Sequence, residues 1–155
     1  MEIRNRGFEI VSHNHRKHPN QLIIPPTRAT NKSMGYDLFS TVDATVKPNE
    51  IVKIWTDVKA YMQEDECLIL NVRSSMGGKF MLANTQGWID SDYYGNINND
   101  GNIGIFLKNI SNEDIDIYVH DRIAQGVFMK YLITDNDEPD KNNQVRIGGF
   151  GSSGK

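Results

Sequence analysis

The sequence predicts an all-β fold, a sandwich or barrel, and three features carry that prediction. Apolar and acidic residues alternate through Glu113-Asp114-Ile115-Asp116-Ile117-Tyr118-Val119, the period-two pattern of a strand with one face in a core. No stretch of about a dozen residues carries apolar side chains at the i, i+3, i+4 spacing of a helix. Turn-forming residues recur between the apolar runs, at Pro48-Asn49, at Gly77-Gly78 and through Gly95-Asn96-Ile97-Asn98-Asn99-Asp100-Gly101-Asn102.

Further strands follow from runs of Ile, Leu, Val and Phe at Cys67–Arg73, Asn102–Asn109 and Gln125–Ile133. The ends of the chain differ. His13-Asn14-His15-Arg16-Lys17-His18 is polar and reads as a solvated loop, a more economical account of its histidines than a metal site. Asp135–Gln144 is acidic and amide-rich, with nothing to bury. Arg146-Ile147-Gly148-Gly149-Phe150-Gly151-Ser152-Ser153-Gly154-Lys155 is flexible by composition and is either an ornament or a lid.

The 155 residues suit one domain, read as a variable segment over about 1–24, a β body, and a carboxy-terminal arm over about 145–155. With 38% hydrophobic and 24% charged residues the chain reads as globular. No apolar run approaches the ~20 residues of a membrane span, and no hydrophobic segment follows the first residues. A single cysteine, Cys67, permits no intrachain disulfide, reads as a small core residue, and fits a cytoplasmic protein. A net charge of −3 disfavours a nucleic-acid polymer as partner but leaves room for a small phosphorylated ligand.

Five segments have chemical potential. Gly149 to Lys155 imitates a phosphate-binding P-loop, but that loop needs a helix after the lysine and none is expected beyond Lys155. Phe150, flanked by glycines, is the residue a mere linker has no use for; it suits a ring laid flat on a ligand. Arg73-Ser74-Ser75 follows a predicted strand and precedes Met76-Gly77-Gly78-Lys79, where hydroxyls and free N–H groups suit phosphate, with Arg73 as planar partner or structural clamp. In Gly87-Trp88-Ile89-Asp90-Ser91-Asp92-Tyr93-Tyr94-Gly95-Asn96, an apolar strand end runs into carboxylates. Partial desolvation there would raise a carboxylate toward general-base strength. Gly35-Tyr36-Asp37-Leu38 sets one acid between large neighbours. Asp121-Arg122-Ile123-Ala124-Gln125 offers an Asp–Arg pair read as buried architecture.

Taken in order, these segments resemble the five motifs of the trimeric dUTPase family. The likeness runs from about Pro25 onward, with Asn84 preceding the third motif. The resemblance implies a distorted jelly-roll or β-clip sandwich, a homotrimer with sites between subunits, and an arm that closes a neighbouring subunit's site. It implies hydrolysis of dUTP to dUMP and pyrophosphate with Mg2+, which cleanses the nucleotide pool and supplies a dTTP precursor.

Carried over by position, the resemblance makes Asp90 the general base for water attacking the α-phosphorus. Ser74, with Ser75 and Arg73, holds phosphate, and Gln125 contacts it too. Asn84 and the backbone of Gly87, Trp88 and Ile89 read uracil, and Tyr93 packs under the deoxyribose. Phe150, followed by Gly151, stacks on the base. Arg146 takes the terminal phosphate, and Asp37 orients the metal through water. Backbone groups matched to uracil would leave cytosine mispaired, at about 1–3 kcal/mol per unpaired group.

The chain departs from the common pattern at Met34, Val72 and Trp88, the last large enough to crowd the base. It also has one residue fewer between Arg146 and Phe150, a spacing shared with a bacterial and phage-like branch. If the source were a phage or virus, the compartment would be the host cytoplasm. Two rivals accompany this reading. A dCTP deaminase of the same fold needs a glutamate after the third motif, and none lies between Cys67 and Asn112. A dUTP-sensing regulatory protein would dock to another protein, with residues 5–25 available for that task.

Overall fold

The computed structural model describes residues 3–137 and 145–151. The P-loop-like reading of residues 152–155 and most of the acidic stretch, residues 138–144, lie outside them. Twelve short strands fall among the described residues: β1 Gly7–Ile10, β2 Thr27–Arg28, β3 Tyr36–Phe39, β4 Ala44–Val46, β5 Ile51–Trp55, β6 Val58–Tyr61, β7 Glu66–Asn71, β8 Phe80–Leu82, β9 Gly87–Asp90, β10 Gly104–Asn109, β11 Ile115–Ile117 and β12 Arg122–Lys130. Every pairing between them is antiparallel. The largest sheet runs β2-β3-β12-β7-β9; β5-β10-β8 faces the same core, with two-stranded ribbons β1-β6 and β11-β4.

Alternation is cleanest in β10, where Ile105, Leu107 and Asn109 point inward while Phe106 and Lys108 point away. Ile105 and Leu107 join Leu38, Ile54, Leu68, Leu82, Ile117 and Ile123 in one apolar cluster. β7 is buried along almost its whole length. It lies between β12 and β9, and both of its faces are covered, so its sequence is a continuous apolar run rather than an alternating one.

The predicted strands are present with shifted ends, and hydrogen bonding explains the shifts. β11 keeps only three residues of the predicted seven. The Glu113 carbonyl accepts from Asn109 Nδ2 at 2.7 Å, and the Tyr118 and Val119 N–H groups donate to Asp121 and Asp43. Side chains thus satisfy the flanks that a longer ladder would use. β12 starts earlier than expected, at Arg122, and stops at Lys130 because its partner β7 begins at Glu66. Leu132 and Ile133 are left 97% and 67% exposed. Arg73 leaves its predicted strand and precedes a 3-10 turn, Ser74–Met76.

The amino-terminal segment is more integrated than the sequence suggests. β1 pairs with β6, and Val11 and Ile23 are buried. His13–His15 forms one 3-10 turn rather than an open loop. The segment is pinned by Asp57, fully buried, whose carboxylate accepts from the Lys17 and His18 N–H groups and from Asn102 Nδ2.

Candidate active site

β9 is the edge strand of the five-stranded sheet, so the side turned from β7 carries backbone N–H and C=O groups with no sheet partner. Those groups, over Gly87 to Ile89, border a cavity of about 280 Å3. Gly87 is required by packing: a Cβ there would sit 2.9 Å from Leu70 Cβ, because β7 and β9 approach closely at this pair. The cavity floor is Leu70, Leu82 and Ile105; Asn84 and Trp88 stand at the rim and Tyr93 forms a wall. Trp88 is 60% exposed, so its bulk is carried at the mouth rather than into the pocket.

Tyr93 is fixed. Its ring is buried, its hydroxyl donates to the Asn102 carbonyl at 2.6 Å, and it accepts from Asn99 Nδ2 at 2.9 Å. Burial, the larger cause, pushes its phenol pKa up. A rigid wall of this kind is what a shape test on a sugar needs.

Asp90 ends β9 and also lines the cavity. The partial desolvation expected for it is not what the chain provides. Its side chain is 62% exposed, and it pairs with Arg146, whose Nη2 lies 2.5 Å away. The reason is position: Asp90 is the last residue of an edge strand, opposite Cys67 of β7 on one side and with no strand on the other. Arg146 also donates through Nε to Asp92 at 2.6 Å and through Nη1 to the Gly148 carbonyl at 3.3 Å. The arginine assigned to a terminal phosphate is therefore held by two carboxylates of the third motif.

The described part of the arm lies across this chain's own cavity, whereas the resemblance implied closure of a neighbour's site. Ile147 accepts from the Asn98 N–H at 3.1 Å. Gly149 abuts the Tyr93 ring so closely that a Cβ would fall 2.7 Å from Cε2. Phe150 lies 4.8 Å from Phe106, ring to ring, and meets Trp55 edge-on at 6.0 Å. Gly151 has φ of 93°, a conformation glycine adopts without strain, and it follows Phe150 at φ of 53°.

The other predicted residues gather elsewhere. Arg73 and Ser75, with Lys79, His120 and Arg122, border a separate concavity of about 430 Å3. Ser74 is exposed beside it in the 3-10 turn. Asp37 is 5% exposed; its Oδ1 accepts from Arg73 Nε at 3.0 Å and its Oδ2 is 3.7 Å from Arg122 Nη1. The Asp–Arg pair expected within the fourth motif is thus a different one. Arg122 pairs with Asp37, and Asp121 accepts from the Tyr118 backbone; both motif residues are exposed, not buried. Gln125 stands opposite Asp37 in the β3–β12 ladder and donates to the Val72 carbonyl at 3.3 Å, lining neither concavity.

Among the described residues no group of three or more His, Cys, Asp or Glu forms a metal cage. With Asp37 already paired to Arg73, the donor set suits a magnesium ion that arrives on phosphate oxygens and keeps its waters. The sequence reading passed over Lys53, Trp55 and Phe106, which meet the arm, because they come from β5 and β10, remote from every motif. Outward-facing aromatics on alternating strands were the signal available.

The dUTPase family model matches residues 22–154. The deoxyuridine 5'-triphosphate nucleotidohydrolase of Lactococcus lactis is 41% identical over 151 residues, covering 96% of this chain and 97% of its own. Among solved structures, the Streptococcus mutans dUTPase superposes with a TM-score of 0.73 at 36% identity, over 84% of this chain and 99% of that one. A mutant dUTPase of phage phi11 of S. aureus, described with a structural Mg(II) ion, gives 0.65 at 21% identity over 91% and 100%. The last shares the fold alone. Together they assign the β body to the jelly-roll type expected. Among the described residues no helix is long and apolar enough to cross a membrane.

Proposed function

The chain belongs to the dUTPase family and is a dUTP diphosphatase, and on that premise we propose how its residues perform the reaction. Asp90 takes a proton from water, and the hydroxide attacks the α-phosphorus in line as pyrophosphate leaves. The observation that carries this is the single cavity bounded by the free edge of β9, the Asp90 carboxylate, the rigid Tyr93 ring and the arm's Phe150.

Uracil presents acceptor, donor, acceptor along one edge. The unpaired backbone of Gly87, Trp88 and Ile89, aided by Asn84, answers with the complementary order. Cytosine would leave buried groups unmatched, at about 1–3 kcal/mol each. Tyr93 packs under the deoxyribose, and its locked ring cannot retreat from a 2′-hydroxyl. Phe150 covers the base from the arm. A bound nucleotide draws the Nη2 end of Arg146 from Asp90 toward its terminal phosphate while Nε stays on Asp92, which frees Asp90 as a base.

The phosphate chain reaches the second concavity, where Arg73, Ser74 and Ser75 hold oxygens and Gln125 completes the contact. Since the two concavities are separate on one chain, each site is assembled between copies of a homotrimer. Leu132 and Ile133, exposed just past β12, are the apolar surface that such an assembly would bury. When bound, magnesium would offset phosphate charge and help to position the leaving pyrophosphate. Asp37 would orient it through water, and the Arg73 and Arg122 contacts fix the carboxylate in place.

The test is turnover of a dNTP panel with pyrophosphate detection, with and without chelator, for the protein and for Asp90→Asn. The expected result is activity on dUTP alone, loss on chelation, and a fall of about 10²- to 10⁴-fold in Asp90→Asn with nucleotide binding retained. Unchanged turnover in Asp90→Asn would move the base to another residue.

A further inference from the structure

Phe150 rests on a surface that solvent would ordinarily claim. Lys53 and Phe106 are cross-strand partners in the β5–β10 ladder, with Trp55 two residues from Lys53 on the same outward face. Gly104, opposite Trp55, leaves room for the indole: a Cβ there would lie 3.1 Å from the ring. The Lys53 Nζ stands 4.1 Å from the Trp55 ring centre, 4.7 Å from Phe106 and 4.6 Å from Phe150. One ammonium is thus surrounded by three rings, two from the sheet and one from the arm. Burial, chiefly, and the neighbouring Lys17 hold its pKa below that of a free lysine, consistent with an ammonium that has given up water for ring faces.

On the other side of Gly148-Gly149, Asp92 holds Arg146. The arm is therefore gripped at two points, a charged one and an aromatic one, with two glycines threaded past Asn98 and Tyr93 between them.

We propose that Lys53, Trp55 and Phe106 form a dock for Phe150, and that they and Asp92 are positioning residues that seat the arm over the nucleotide. The proposal rests on the reading of the arm as the cover of that site. Because the dock belongs to the sheet, it serves an arm from the same chain or from a second copy. None of the four needs to touch the reacting atoms: they act through Phe150 and Arg146.

The experiment uses the full chain. Steady-state kcat and KM for dUTP, amide hydrogen exchange of the peptide spanning residues 145–151, and Tm are measured for Lys53→Met, Trp55→Leu, Asp92→Asn, Lys53→Arg and Phe150→Ala. The expected result for Lys53→Met and Trp55→Leu is a KM raised about 3- to 10-fold, faster exchange in the arm and an unchanged Tm. Lys53→Arg restores the KM, since guanidinium also sits on aromatic faces. Asp92→Asn loosens the same peptide without altering the pH profile of kcat. Loss of activity in Phe150→Ala, with KM and arm exchange unmoved in Lys53→Met and Trp55→Leu, overturns the dock and spares the arm reading. Full activity in Phe150→Ala overturns the arm reading itself, and the dock with it. A lowered Tm with unaltered arm exchange makes these residues structural and also ends the proposal.

Discussion

Gly149→Ala is a small change aimed at the seating of the arm. A Cβ at this position falls 2.7 Å from Tyr93 Cε2, where ordinary contact starts at 3.4 Å, an overlap of roughly 0.7 Å. Tyr93 cannot yield, since its buried ring is bonded through the hydroxyl to Asn102 and Asn99. The arm has to lift instead. Lifting costs the Phe150–Phe106 pair, worth about 0.5–1.5 kcal/mol. It also costs the Arg146–Asp92 contact, worth about 0.5–1 kcal/mol because Asp92 is 61% exposed and screened. The total of about 1–2.5 kcal/mol corresponds to a fall of about 5- to 70-fold in kcat/KM for dUTP. Pyrophosphate release reads the rate and thermal melting reads the fold, and Tm should hold because residues 145–151 add nothing to the main core cluster. Normal kcat/KM with a depressed Tm would refute the reasoning, since Gly149 would then be a packing residue of the body.

Three further outcomes follow from named contacts. Leu107→Ala, at a fully buried position in β10, should cost about 2–5 kcal/mol in urea unfolding, and a loss under about 1 kcal/mol would contradict its place in the core. Glu66 is held below the usual carboxylate range, first by hydrogen bonds from Arg6 and then by the Gln63 N–H, against the opposing effect of burial. A depressed folded-state pKa contributes stability that is present above the unfolded value near 4.5 and lost as pH falls through the folded one. Glu66→Gln should therefore melt lower at about pH 7 and close on the parent as pH falls below the unfolded value; an offset that stays constant through acid would discount the Arg6 pair. The Cys67 thiol is pushed up, by burial first and by Asp90 second, so at about pH 8 a thiol reagent should label the unfolded chain far faster than the native one. Equal rates would place Cys67 outside the sheet.

The sequence by itself determined the β class, four of the strands, and part of the cavity lining, namely Asn84, Gly87 to Asp90, Tyr93, Arg146 and Phe150. Period-two alternation in β10 and β11 is local information, and so is the run Gly87 to Asp90, because a strand's faces follow from residue order alone. Strand ends were less legible. β12 stops where β7 runs out and β11 is trimmed by side-chain hydrogen bonds, and neither cause lies within the strand concerned.

Pairings between distant segments were decided only by the tertiary structure. Arg122 looked like a partner for adjacent Asp121, yet Asp121 lies outside β12 and accepts from the Tyr118 N–H, while the ladder sets Phe39 opposite Arg122 and so brings Asp37, two residues along β3, to Arg122 instead. Asp90 looked desolvated by its apolar neighbours along the chain, but exposure depends on what lies across an edge, and among the described residues β9 has no strand on its outer side to cover the carboxylate, which meets Arg146 of the arm. Lys53, Trp55 and Phe106 carried no motif; the antiparallel register of β5 and β10 made them one surface. Residue type is written along the chain, whereas charge pairing, burial and docking depend on distances through space that only the folded sheets define.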